Sequence, residues 1–170
     1  MTRIYVPATI ELLEGFVETD EFDPMSRTAF AVTGALRESY SSGDDDELEA
    51  VAMGEAARAS LRLLAGRIAD RGAEGVRMRR VVIAADVDDV TPRPDLDDAV
   101  VRLAAPVTMR QVASVHVDLE DAESAIARAV ESVDEADLGD PEAEFVLGDA
   151  EDHALAWYAT QEVPFLLDLL

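Results

Sequence analysis

The stretch Arg79-Arg80-Val81-Val82-Ile83-Ala84-Ala85-Asp86-Val87 constrains the fold more than any other part of the chain. It is apolar at both parities, and successive side chains of a strand point to opposite faces. It therefore predicts a central strand, covered on both faces over part of its length.

Four further strands flank it in sequence. Arg3 to Val6 reads as a strand closed by Pro7, Thr28 to Val32 as a second, Ala99 to Leu103 and Val112 to Val117 as two more. Thr9 is placed to cap a helix with Ile10, Leu13, Phe16 and Val17 on one face. Thr33 is placed to cap a short helical turn through Leu36 and Tyr40. Asp44, with Glu47 three residues on, opens the longest helix, whose stripe is Leu48, Val51, Ala52, Ala56, Ala59, Leu63 and Leu64. That helix ends near Asp70-Arg71-Gly72. Pro106-Val107-Thr108 reads as the start of a short turn. After Asp118 to Asp121, the residues Ala122, Ala125, Ile126, Ala129, Val130 and Val133 keep a helical period. Glu144 to Leu147 reads as a short edge strand, and a last helix runs from about Asp149 to Glu162.

The third, fourth and fifth strands follow one another without a helix between them. That order predicts an α+β fold, a mixed or antiparallel sheet of about five strands with helices packed on it. The first strand–helix unit and the fifth strand with its helix have the order of two halves of a ferredoxin-like arrangement. No linker divides residues 1–170, so one domain is expected, ending in the apolar tail 163–170.

Composition narrows the partners. The formal net charge is -23, from 37 acidic and 14 basic residues, and every basic residue is Arg. A chain this acidic is repelled by phosphate backbones and anionic lipid, so neither nucleic acid nor a membrane is an expected partner. The absence of Cys excludes disulfide and thiol chemistry. No apolar leader opens the sequence and no run approaches the length of a membrane span, which points to the cytoplasm. Lack of Lys and Asn beside abundant Ala, Val and Asp is the pattern of a GC-rich coding bias or of a salt-rich cytoplasm.

Candidate chemistry is sparse. Nucleotide-binding glycine motifs, the nucleophile elbow and the two-histidine zinc motif are all missing. His116 shares parity with Ser114 and Asp118 on the fifth strand, and Asp86 ends the central one. A histidine beside a carboxylate can act as base or ligand, or be one polar residue of a half-buried sheet. The segment Gly148 to Glu162 holds the sole Trp and one of two His. Read as a helix, it sets Asp149, His153, Trp157 and Gln161 four apart on one face. That face is either a binding surface with Trp157 stacking on a ligand, or a core anchor with Trp157 packed inside. Two His with scattered carboxylates specify no metal site, and no cofactor is indicated. Arg71, Arg77, Arg79 and Arg80 make the one basic patch. The tail Phe165 to Leu170 needs cover, from this domain or from a second chain.

Four phrases resemble one known family: Arg3-Ile4-Tyr5-Val6-Pro7-Ala8-Thr9; Ala57-Arg58-Ala59-Ser60-Leu61-Arg62; Arg80 to Val87; and Gly148 to His153 with Trp157-Tyr158. The family is one of short, acidic actinobacterial proteins of unknown function. The resemblance implies a bacterial cytoplasmic setting and assigns no catalytic residue. The leading functions left open are a non-enzymatic protein-binding or regulatory domain, working alone or as a dimer, and a small-molecule binder or small enzyme built around His116, Asp86, His153 and Trp157, with a nucleic-acid mimic as a third.

Overall fold

A computed structural model describes residues 1–170. The apolar run becomes β4 (Val81–Val87), flanked by β1 (Thr2–Ala8) on one side and β8 (Val112–Val117) on the other. Beyond β1 lie β3 (Thr28–Phe30), β6 (Val100–Leu103) and β5 (Val90–Pro92), and beyond β8 lies β9 (Ala156–Ala159). The sheet thus has seven strands in the order β5-β6-β3-β1-β4-β8-β9, with every pairing antiparallel. A separate ribbon pairs β2 (Glu21–Phe22) with β7 (Val107–Thr108).

The α+β class and the antiparallel option hold, while the strand number exceeds the expected five. The extra strands are two to four residues long, too short for alternation to register in sequence. The two strand–helix units also return differently from a split β-α-β arrangement. β1 and β3 are antiparallel neighbours, and so are β8 and β9.

Alternation along the strands gives the sheet two buried faces. Ile4, Val6, Val81, Ile83, Val115 and Val117 point to the first. It is covered by α1 (Ile10–Thr19), by α6 (Val163–Asp168) and by Phe22 and Val107 of the ribbon. Thr9 caps α1, accepting the Leu12 amide at 3.2 Å, as its spacing predicted. Tyr5, Phe30, Val82, Ala84 and Val100 point to the second face, under α2 (Gly34–Ser39) and the first half of α3 (Asp45–Arg71). A bulge in β8 pairs Ala84 with Ser114 but Ala85 with Val112. The extra residue, Ala113, lets Val112 face the same core as Val115 despite the odd spacing.

α3 begins at an Asp44 cap and closes at Gly72, as expected. Its buried stripe is Leu48, Ala52, Ala56, Ala57, Ser60, Leu61 and Leu64, rotated from the predicted one. The rotation follows from its two neighbours. Leu61 and Leu64 turn away from the sheet to pack with α4 (Glu123–Asp137) and α5 (Pro141–Glu151). All six predicted apolar positions between Ala122 and Val133 are buried, and all but Ala125 belong to that helical cluster.

The C-terminal region corrects the sequence reading. Glu144 to Leu147 lies inside α5, and the supposed helix from Asp149 to Glu162 is the end of α5, a turn, and strand β9. Pro141 at the first turn of α5 starts that helix. Asp149, His153, Trp157 and Gln161 therefore share no helical face. The tail packs on the first-face core through Val163 and Leu166, with Leu167 and Leu170 partly buried there, leaving Phe165 and Leu169 exposed.

Candidate functional site

On the second face the sheet is apolar only where α2 and α3 cover it. Beyond their cover the same alternation presents Arg3, Asp86, Ser114, His116 and Trp157, from β1, β4, β8 and β9. In register, Val82, His116 and Trp157 form one row across three strands, and Ala84, Ser114 and Ala159 form the next.

β4 and β8 do pair, but Asp86 does not meet His116. It lies four residues along β4 from Val82, the residue opposite His116, or about 13 Å at ~3.3 Å per residue. Asp86 is instead gripped by Arg3, whose Nε and Nη2 donate to its two oxygens at 2.8 and 3.1 Å. That grip holds the Asp86 carboxyl below its usual range. His116 Nε2 lies 2.9 Å from Ser114 Oγ. Burial, reinforced by the Arg3 charge, lowers its pKa and favours the neutral ring.

Trp157 is not the core anchor. It stands 60% exposed beside His116 on the last strand, while its neighbour Tyr158 packs on the first-face core. Asp149 is exposed on α5, and Gln161 is exposed in the turn after β9. Glu151 and Asp152 precede this strand and Glu162 follows it, all exposed.

His153 belongs to a different place. It lines a cleft of about 620 Å³ between α3 and the segment Glu151–Leu155, with Met53, Glu55, Ala57 and Leu155 in the walls. Its carbonyl accepts Arg80 Nη2 at 2.7 Å. His116 lies outside this cleft, so the two histidines do not converge. No group of three or more His, Asp or Glu side chains is gathered to hold a metal ion.

Four residues with structural or electrostatic roles escaped the sequence reading. Arg80 and Asp118 form a buried ion pair, with Asp118 fully enclosed. Burial of Arg80 and Arg79 also dissolves the expected basic patch. Ser60, inside the α3 stripe, donates to the Ala8 carbonyl at 2.7 Å and accepts the Val81 amide at 3.1 Å. Ala8 and Val81 face each other in register, so this hydroxyl bridges the end of the β1–β4 ladder. Glu55 projects from the middle of α3 with its carboxyl pushed up by burial and then by Asp97. A serine in an apolar stripe and an arginine abutting the most apolar strand were the signals available.

The sequence matches DUF6912, a family of unknown function, over residues 2–167. No curated protein and no solved structure shows significant similarity to it. With nearly its whole length matched, the chain belongs to the DUF6912 family of unknown function.

Proposed function

We propose that the protein is a single, non-enzymatic binding domain of the bacterial, actinobacterial cytoplasm that docks a basic, extended segment of a partner protein along β9. The observation that carries this reading is Trp157, largely exposed on a sheet-edge strand. Edge strands leave backbone donors and acceptors free to pair with another chain. An extended peptide added there gains main-chain hydrogen bonds, with side-chain contacts setting specificity. At the opposite edge β5 ends in Pro92, which cannot donate.

Charge selects the occupant. Asp149, Glu151 and Asp152 lie before β9 and Glu162 after it, within a chain of net charge -23. A second copy laid antiparallel on β9 would bring these carboxylates against their own kind, so the homodimer is the weaker occupant. A Lys- or Arg-bearing strand is attracted instead, and nucleic acid and anionic membrane are repelled. No helix is long and apolar enough to cross a membrane. His116 borders Trp157 across β8 and β9 as a polar neighbour and Gln161 follows in the turn after the strand, while Asp86, held by Arg3, and His153, in its cleft, lie further out.

The reactive side chains offer little to a catalytic reading. Ser114 and His116 are hydrogen-bonded, but Asp86, the carboxylate that could orient the ring, lies four residues along β4 and is held by Arg3, while Arg80 is held by Asp118 and the His153 carbonyl. Trp157 is the only tryptophan, so its fluorescence reports on the site directly. A peptide of alternating Val and Arg is expected to blue-shift that emission saturably, whereas its Val–Glu counterpart is not. Trp157→Ala should abolish binding by calorimetry while costing under about 1 kcal/mol of stability. Unchanged emission with the Val–Arg peptide, or a dimer by sedimentation that Trp157→Ala disperses, would sink the proposal.

A further inference from the structure

The cleft beside α3 lies apart from the β9 edge. Its floor is apolar, from Ala57, Leu61 and Leu155, and its volume of about 620 Å³ falls within the ~300–1,000 Å³ of small-molecule sites. Two cations line it, and both are already neutralised. Arg58 Nη2 donates to Asp137 and Glu144 at 2.9 and 2.8 Å. Arg80 is held by Asp118 and the His153 carbonyl. No free positive charge is left in the cleft to receive an anion.

The acidic side is in the opposite condition. Glu55 is partly buried yet makes no hydrogen bond or ion pair with any cation. It also borders a smaller cleft that contains Asp97, Asp98 and Tyr40. The charged groups that act on it are Asp97 and Glu151, which disfavour its ionisation, and Arg62 and Arg58, each of which favours it less than burial opposes it. A carboxylate held half-desolvated without a counter-ion, above an apolar floor, is incomplete without a cation.

We propose that this cleft binds a small organic cation, an ammonium group on an apolar body, with Glu55 as the counter-ion and the Ala57–Leu61–Leu155 floor taking the apolar part. A free amine is favoured over a partner's lysine because the cleft is far larger than a four-carbon stem requires. The site is separate from the β9 edge, so either proposal can fail without the other.

Hexylamine, hexanol and hexanoate serve as probes, followed by amide shifts in two-dimensional NMR. Hexylamine is expected to shift Gly54, Ala57 and Leu155 saturably, hexanol to bind at least tenfold more weakly, and hexanoate not to bind. Glu55→Gln should cut hexylamine affinity about tenfold and leave hexanol affinity unchanged, with thermal melting showing that the variant remains folded. Glu131→Gln, on the exposed side of α4, should leave both unchanged, as should Trp157→Ala. Non-saturating shifts scattered over the acidic surface would overturn the proposal. So would equal amine affinity in Glu55→Gln, or equal affinity for amine and alcohol in the parent. N-acetyl-lysine amide binding as tightly as hexylamine would overturn the assignment to a free amine.

Discussion

Arg80 and Asp118 lock the start of β4 to the residue just past β8. Two side-chain bonds of 2.8 Å run between them, and the Arg80 amide adds a third bond to the same carboxylate at 2.7 Å. Arg80 is 4% exposed and Asp118 0%. The guanidinium then reaches the His153 carbonyl, tying the approach to β9 into the same knot. Removing one partner strands the other charge without water, which typically costs about 3–5 kcal/mol. Arg80→Met should therefore lower stability by that order in urea unfolding. The double variant Arg80→Met/Asp118→Leu should cost clearly less than the sum of the single changes, because neither charge is then left buried alone.

Ser60 yields a sharper test, because the change is one oxygen atom. Its hydroxyl serves a carbonyl of β1 and an amide of β4 at once, and it is fully buried. Ser60→Ala leaves both backbone groups short of a partner, at about 1–3 kcal/mol for each group left unsatisfied. Ser60→Gly should be worse still, since it adds backbone entropy in mid-helix. Chemical denaturation should rank the parent first, Ala second and Gly last.

His116 makes stability depend on pH with a definite sign. Its pKa is lowered in the fold, by burial first and by Arg3 second. The unfolded chain thus binds the proton more readily, and the contribution of the neutral ring is present above the ordinary histidine pKa of about 6.5. It is lost as pH falls through the folded value. His116→Gln should flatten the decline in unfolding free energy between about pH 7 and pH 5 relative to the parent. An identical slope in the two proteins would contradict the assignment. Carboxylates such as Asp86 and Asp137, lowered by their arginines, add their own loss at more acidic pH.

The tail holds buried, partly buried and exposed apolar residues. Val163 and Leu166 are buried against the first-face core. Ending the chain at Glu162 should cost about 3–6 kcal/mol from Val163 and Leu166 alone, at ~1.5–3 kcal/mol for each side chain, with the partly buried Leu167 and Leu170 adding to it. Phe165 and Leu169 are 72% and 86% exposed, and changing both to Ser should shift stability by no more than about 0.5 kcal/mol each. Denaturation midpoints of the two variants provide the comparison.

Legibility in the sequence tracked how local each determinant is. β4, the capped starts of α1 and α3 and the stripe of α4 were all readable, since each rests on spacing within a dozen residues. Trp157 was misplaced because Asp149 to Glu162 has a helix-compatible period, while β9 exists only through pairing with β8. That pairing joins residues about forty positions apart and leaves no local mark. The His116–Asp86 approach depended on register as well as adjacency. Parity correctly put His116 on the more polar face, but it cannot say how far along the neighbouring strand the carboxylate falls. Glu55 looked like one more surface acid until the helix carrying it was seen rotated against the sheet.

α3 runs about 40 Å at ~1.5 Å per residue, one half roofing the sheet and the other founding the helical cluster. It is therefore the common beam of two otherwise distinct interiors, and damage near Leu61, where they meet, propagates toward both ends. A chain so joined is expected to melt as one unit rather than by halves. The amine cleft, set against the midpoint of that beam, sits where an occupant would brace both interiors at once.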